Sequence, residues 1–539
     1  MLEVGESLQL EALADYSDGS RRDVTRGARF TAATDGGLVL EVGGRAVGHS
    51  VGPAAVEATF EGASARTVVD VVQLQGSASR PRAGPLAAPA EASLPPAVRP
   101  EVAFPLSVSP NGRFLIDAHG VPFRLQGEGA WSVIANLTAD EADSYLVDRQ
   151  HKGFDALLVN LLEHRFAAQA PKNRAGQAPF RTAGDFSTPE EAYFQSAAAF
   201  VQKARAHGFL VLLAPAYLGY GCPSQRSAEN EGWSAEMGRQ STAACLAYGQ
   251  YVGSRFRSFD NLVWVQGGDC LPEAGSALEA CAQKVFEGLR QAGATQLQTG
   301  HFSPNSTSLD EAAFAKDMQL DAVYQYRTPE AACRKATAQL PARPTFLVES
   351  GYENESIQGS VPPSRKYLWW AALSCTAGVF SGSKPVWAFE EGWEKALDSP
   401  GALDVSRMAG LLDSLPWQNL IPSGLLGMRP LVTAGGGAPG AQDEVVAAAT
   451  EDGQWLLAYV PPGTGRGHRS FVLDVRALAG EATARWYNPW TGAFLSAGQV
   501  PNQTPWWFTT PGDNGSGYDD WVLVLSRPPQ SAPAAIGTP

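Results

Sequence analysis

The sequence predicts a multidomain chain in which a (β/α)8 TIM barrel is flanked by two small β-sandwiches, on three observations. Between about 104 and 424, eight short continuous apolar runs occur, most of them followed by a longer helix-periodic stretch. Before 76 and after 424, apolar and polar residues alternate in short runs punctuated by glycine and aspartate, the pattern of small all-β domains. Between 76 and 103 stand six prolines and almost no large apolar residue, which cannot form a core and reads as an extended tether. At 539 residues the chain is too long for one core, and with 44% hydrophobic and 18% charged residues it can bury large ones.

Residues 1–75 give strand runs at "SLQLEALADYSDG", "ARFTAAT", "LVLEVGGRAVG", "AAVEATFEG" and "ARTVVDVVQL". In the barrel region, 104–424, the eight runs are "VPFRLQGEGAW", "FDALLVNLLEH", "FLVLLAPAY", "NLVWVQGGD", "LQTGHF", "LDAVYQY", "TFLVESGYE" and "GVFSGSKPVWAF". Apolar strands interleaved with helices imply a parallel sheet covered on both faces. An open doubly wound sheet is the alternative, and no GxGxxG turn supports it. The segment 425–528 returns to alternating strands, a second sandwich, and the Pro- and Ala-rich residues 529–539 read as a frayed tail.

The net charge of −14 argues against binding nucleic acid or anionic membranes, and no apolar stretch reaches the ~20 residues of a membrane span. The chain opens directly into strand-like sequence rather than a signal peptide. Six cysteines, Cys222, Cys245, Cys270, Cys281, Cys333 and Cys375, cluster centrally without CxxC spacing. They fit one to three disulfides and an exported, cell-surface or periplasmic protein. Cys270 follows an aspartate of interest, and either a Cys270–Cys281 or a Cys222–Cys270 bridge would stiffen that loop.

In a (β/α)8 barrel the site lies at the C-terminal ends of the strands. Those ends carry Glu128 and Trp131, then Asn160, Glu163 and His164, then Tyr217, Asp269, His301, Tyr324 and Tyr326, Glu349, and Trp387. Two carboxylates among rings that stack on sugars are what glycoside hydrolysis requires, one acid to protonate the leaving oxygen and one anion to attack or to activate water. Asp269 and Glu349 are the catalytic candidates because each directly ends an apolar strand, and the double glycine before Asp269 is read as clearing space for a sugar. Glu353 competes with Glu349, and Glu128 either contacts a sugar hydroxyl or pairs with a local arginine. Trp369 and Trp370 are assigned to a helix core. Seven histidines without HxxxH or HxH spacing give no metal expectation, no cofactor is implied, and a serine nucleophile lacks its GxSxG elbow.

The stretches "NGRFLIDAHGVPFRLQGEGAWSVIANLTADEADSYLVDRQHKGFDAL", "NLVWVQGGD", "FLVESGYE" and "SRKYLWWAALSCTAGVFSGSKPVW" resemble apiosidase-like glycosidases of the glycoside hydrolase family 140 type over roughly 105–425. The C-terminal "ARWYNPWTGAF" resembles the β-domain associated with that family, and "YSDGSRRDVT" with "GRAVGHSVGPAAVEATFEG" resembles a group 2 bacterial immunoglobulin-like domain, usually a spacer or adhesive module. The resemblance implies Asp269 as acid/base, Glu349 as nucleophile, a retaining mechanism and a polysaccharide or oligosaccharide substrate. Where such enzymes usually read "GDTAW", this chain has "GEGAW", placing Glu128 and Gly129 at an expected pocket floor. The rival readings are a non-catalytic carbohydrate binder and a surface adhesin on a passive barrel; retention of both Asp269 and Glu349 speaks against the first.

Overall fold

The computed structural model describes residues 101–222, 231–355, 364–463, 467–502 and 505–527, and within the first 72 residues 2–3, 7–10, 12–16, 21–25, 27–32, 38–41, 45–48 and 52–72. The tether expected at 76–103 (apart from 101–103) and the tail at 529–539 lie outside the described residues. The chain divides into two compact units, Met1–Ala87 and Ala88–Pro539.

The first unit is strand-rich. Gly52–Phe60 and Ala63–Val72 form a long hairpin, joined by Arg29–Ala32 on one side and Leu2–Glu3 on the other. Ser7–Gln9, Arg45–Gly48 and Leu38–Glu41 make a second sheet. Leu38, Ala46, Ala54, Val56 and Val69 form a shared core between them.

The second unit is built on eight parallel strands, each falling in one of the eight apolar runs: β1 (Leu125–Gly129), β2 (Ala156–Asn160), β3 (Leu210–Ala214), β4 (Leu262–Gly267), β5 (Gln298–His301), β6 (Asp321–Tyr324), β7 (Thr345–Glu349) and β8 (Gly378–Ser381). Their order is 5-4-3-2-1-8-7-6, so the first and last strands pair and the sheet curls into a nearly closed barrel. At the seam between β5 and β6, the Ser308 hydroxyl donates to Gly300 O at 3.0 Å and accepts from Gly300 N at 3.1 Å and Ala322 N at 2.9 Å. Side chains alternate in direction, as the pleat requires. Leu158, Leu212, Val263, Val265, Phe346 and Phe380 fill the interior, while Val159, Val211, Trp264 and Leu347 face outward under the helices. Gly127 leaves room for the Phe380 ring, which would collide with any Cβ there. Leu115 and Phe123, from a small antiparallel sheet, and Leu106 just before it join the interior core at the end where β1 begins.

Local chemistry sets the helices. Thr138 and Glu141 form a capping box at Ala139–His151, and Ser241, Ser276 and Ser399 cap later helices through their hydroxyls. Thr242–Phe256 and Ala277–Gln291 pack closely because Gly249, Gly253 and Gly288 face backbone of the partner helix. Three disulfides are present: Cys222–Cys270, Cys245–Cys281 across that helix pair, and Cys333–Cys375. Of the two pairings open for Cys270, the structure has the one with Cys222. No helix among the described residues is long and apolar enough to cross a membrane.

Two antiparallel sheets follow the barrel. One has six strands in the order Leu420–Pro422, Val446–Thr450, Trp455–Val460, Trp521–Ser526, Ala482–Tyr487, Phe494–Val500; the other has Val432–Ala434, Ser470–Leu473 and Trp506–Thr509. The sheets are joined to the barrel through buried polar bonds. Arg365, 2% exposed on the helix Arg365–Ala372, donates to both oxygens of Asp520, at 2.9 and 2.8 Å, and to Asp404 at 3.1 Å. Tyr459 adds a hydroxyl to Asp520 at 2.9 Å. Trp370 Nε1 donates to Glu444 O at 2.9 Å, and Trp369 stacks on Tyr459, so both tryptophans pack against the appended sheets.

Removing one partner of a buried ion pair strands the other charge. Arg365→Ala is therefore expected to cost about 3–5 kcal/mol in denaturant unfolding, and Arg365→Lys to restore less than half of it, because an ammonium cannot fork across Asp520. An Arg365→Ala loss below about 1 kcal/mol would show that this network does not hold the two parts together.

Candidate active site

The acid at the end of β4 sits on an unusual backbone. Gly267, Gly268 and Asp269 have φ of +86°, +102° and +56°, three consecutive residues in the left-handed half of conformational space. Glycine is needed twice over at the first two positions. A Cβ on Gly267 would lie 2.5 Å from His301 O, and one on Gly268 would lie 2.6 Å from the Tyr217 ring. These glycines do not clear space for a sugar, as the sequence suggested; they press the β4 turn against its neighbours. Gly219 N donates to Gly268 O at 2.9 Å and Gly221 N to Asp269 O at 3.1 Å, and the Cys222–Cys270 bridge closes the same pair of loops. A left-handed non-glycine residue costs of order 1–2 kcal/mol, and these contacts hold Asp269 there.

Glu349 reaches the same cleft through an irregularity. The β6–β7 register runs Val323↔Leu347 and then Tyr324↔Glu349, skipping Val348. The extra residue re-aims the strand end, so that Val348 fills the interior and Glu349 still turns inward. Its Oε2 accepts from Tyr352 Oη at 3.1 Å and bonds His301 Nε2 at 3.0 Å, while Oε1 accepts from Tyr326 Oη at 3.1 Å.

His301 stands between the two carboxyls. The Asp269 backbone N–H donates to its Nδ1 at 3.2 Å, which requires a lone pair there and leaves the ring proton on Nε2, facing Glu349. Burial works to lower the imidazole pKa, but the charges of Asp269 and Glu349 outweigh it and raise it. Burial, reinforced by the charge of Glu349, pushes Asp269 up to about 6 from an ordinary 3.8, against the opposing pull of His301, Tyr217 and Tyr324. Tyr217 Oη donates to Asp269 Oδ2 at 2.6 Å, whereas Oδ1 is buried without a partner. Oδ1 is thus the carboxyl oxygen not committed to a hydrogen bond, 4.0 Å from His301 Nδ1. A carboxylate oxygen of each residue and a His301 nitrogen all lie within 4.8 Å of one another. Three such groups could each offer an atom to a metal; the bonds of His301 to Glu349 and to the Asp269 amide also make a set suited to proton transfer.

Aromatic rings wall the cleft. Trp131 packs against Tyr217 and His301 at 5.6 and 5.2 Å between centroids, and Tyr324 stacks on His301 at 4.5 Å. Tyr324 and Tyr326 share a hydroxyl–hydroxyl bond of 2.6 Å. Trp387 meets Phe166, which meets Tyr217. Strand alternation puts Asn160 on the interior face, 3% exposed, with a buried Oδ1 that has no hydrogen-bond partner.

Three expected substrate contacts land elsewhere. Glu128 faces outward from β1, where it pairs with Arg149 Nε at 2.9 Å and accepts from Tyr145 Oη at 2.6 Å. It forms no part of the pocket floor, whereas Gly129 does: a Cβ there would lie 2.7 Å from Tyr352 Oη. Glu353 accepts from Ser399 Oγ at 2.6 Å and Gly401 N at 2.9 Å, at the start of the helix Pro400–Asp413. His164 packs edge-on to Trp233 and stands 3.7 Å from Glu236. Sequence reasoning does not single out Tyr352 or Phe166; the one available signal is that Tyr352 follows Glu349 across Ser350 and Gly351, close enough to fold back on it.

The sequence profile described as "Apiosidase-like, catalytic domain" matches residues 109–419, well over half of the chain. The chain belongs to the apiosidase-like catalytic-domain family. A second profile, "Putative collagen-binding domain of a collagenase", matches residues 436–526 of this apiosidase-like glycosidase. No curated protein matches its sequence significantly. Among solved structures, it is similar to a glycoside hydrolase at 20% identity and a TM-score of 0.64, over 79% of this chain and 98% of that one. A glycoside hydrolase family 5 protein from Bacteroides vulgatus is similar at 19% identity and a TM-score of 0.64, over 79% and 95%. At such identities the likeness is one of fold.

Two outcomes follow from Asp269. With its folded pKa raised from 3.8 to about 6, the folded state holds the proton more tightly and loses that advantage as pH rises through this window. Asp269→Asn, which removes the buried charge, is expected to unfold at a higher temperature than wild type above pH 6 and to lose this margin below pH 4. Tyr217→Phe removes a bond to the ionised form, so the Asp269 titration, followed by NMR of the carboxyl carbon, is expected to move upward; a downward move contradicts the assignment.

Proposed function

We propose that the chain is a retaining, exported glycoside hydrolase of the family 140 type, cleaving a glycosidic bond in a polysaccharide of plant wall, capsule or exopolysaccharide. The observation that carries this reading is the approach of Asp269 and Glu349 oxygens to within 4.8 Å. Retaining glycosidases hold their carboxyls about 5–5.5 Å apart, and inverting ones need about 6.5–9.5 Å to admit a water.

In the first step Glu349 attacks the anomeric carbon while Asp269 Oδ1 passes its proton to the departing oxygen. Tyr326, Tyr352 and His301 orient the attacking carboxylate. Formation of the glycosyl ester then neutralises Glu349, removing the charge that had helped raise Asp269. Its carboxyl becomes more acidic at the moment it must act as a base toward water, so one pair of groups serves both steps. Asn160 Oδ1 supplies a polar contact for sugar hydroxyls, and the rings of Trp131 and Trp387 supply apolar faces. Three disulfides support an oxidising compartment, hence export. The strand-rich N-terminal unit, with its immunoglobulin-like sequence, is assigned the role of a spacer.

The test is reducing-sugar release across a panel of plant and bacterial polysaccharides. Asp269→Asn and Glu349→Gln are each expected to lose at least about a thousandfold in turnover while remaining folded. Activity is expected to survive a chelator unchanged. A dead Glu353→Gln beside an active Glu349→Gln would contradict the nucleophile assignment.

A further inference from the structure

The turn that carries Asp269 is held residue by residue from the loop after β3. Leu218 N donates to Gly267 O at 3.3 Å, Gly219 N to Gly268 O at 2.9 Å and Gly221 N to Asp269 O at 3.1 Å; the next pair, Cys222 and Cys270, is covalent. The loop is itself anchored, because Trp233 N donates to Tyr217 O at 2.8 Å and Ser234 N to Leu218 O at 3.1 Å. Gly219 packs so closely on Gly232 that a Cβ would collide with its backbone. Side chains follow the same pairing, since Tyr217, which opens this segment, donates to Asp269 Oδ2 at 2.6 Å.

Backbone strain collects at the covalent end of this pairing. Cys222, at φ +44°, and Asp269, at φ +56°, are both non-glycine residues in the left-handed region. Such conformations persist only where the surroundings over-determine them. The other two bridges have a different setting. Cys245–Cys281 joins two helices already packed through glycines, and Cys333–Cys375 ties the helix Pro329–Thr337 to the segment after Arg365–Ala372. Neither is next to Asp269 or Glu349 in the chain. The three bridges span sequence separations of 48, 36 and 42 residues, so they constrain the unfolded chain to similar extents.

We propose that Cys222 and Cys270 are positioning residues for the acid: their bridge fixes the Asp269 carboxyl for proton delivery to the departing oxygen, a role the other two bridges do not share. This rests on the glycosidase reading of Asp269 and Glu349. Because the bridge exists only when both thiols are oxidised, the acid is completed in the kind of compartment where disulfides form.

The test compares full-length Cys222→Ala/Cys270→Ala with Cys245→Ala/Cys281→Ala. Both are expected to unfold at lower temperature than wild type, by similar amounts. Only the first is expected to move Asp269. Released from the turn, its carboxyl leaves the burial and the Glu349 charge that raise it, along with the opposing pull of His301, Tyr217 and Tyr324. Its titration, followed by NMR of the carboxyl carbon, then falls from about 6 toward the ordinary 3.8. In kcat/KM the first pair is expected to lose at least about tenfold on a polysaccharide that wild type cleaves. The loss is expected to be several times smaller on the dinitrophenyl glycoside of the released sugar, whose leaving group departs without a proton. Gly219→Ala, which keeps every bridge and displaces the same turn, is expected to shift both readouts in the same direction. An Asp269 titration unchanged in the first pair, an equal fall in the second, or equal losses on the two substrates would overturn the proposal. Failure of the catalytic reading shows separately, as turnover by Asp269→Asn equal to wild type, whereas the titration compares the two bridges without any substrate.

Discussion

Two carboxyl groups with oxygens within 4.8 Å of each other oppose each other's ionisation, and the proton is held longer on the one with fewer donors. Glu349 is met by two phenols and His301 Nε2, whereas Asp269 accepts from one phenol on Oδ2 and its Oδ1 makes no hydrogen bond. The asymmetry of donors is what distinguishes the two carboxyls. His301 links the halves, receiving the Asp269 amide on one nitrogen and addressing Glu349 with the other.

That asymmetry depends on backbone features at two strand ends. At β4 the glycines allow a left-handed turn that packs against Tyr217 and His301. At β7 a shift in register turns Glu349 back toward the cleft after Val348 has filled the interior. The Cys222–Cys270 bridge and the hydrogen bonds beside it hold the β3 and β4 loops as a unit. Farther out, the buried Arg365–Asp520 contact makes the appended sheets part of the barrel's framework.

The eight barrel strands were legible because a parallel strand covered on both faces must be apolar along its length. Positions at strand ends were legible too, and the structure gathers Trp131, Asn160, Tyr217, Asp269, His301, Tyr324, Tyr326, Glu349 and Trp387 around one cleft. Facing was harder to read. Glu128 ends a strand as plainly as Asp269 does, yet alternation turns it outward to Arg149. Glu353 is a glutamate like Glu349 but caps a helix some fifty residues on, a contact that no local pattern announces. Tyr352 enters because Gly129, on a distant strand, has no side chain to block it. The pairing of Cys270 likewise depended on which loop lies beside it in space.

The central claim is a double displacement through Glu349, and the anomeric configuration of the first product tests it most directly. A polysaccharide or oligosaccharide cleaved by the wild-type enzyme is followed by proton NMR in the first minutes, before mutarotation mixes the anomers. The account predicts that the newly released sugar carries the same anomeric configuration as the bond that was cut. Release of the opposite anomer would mean that water attacks directly and that Glu349 is not the nucleophile.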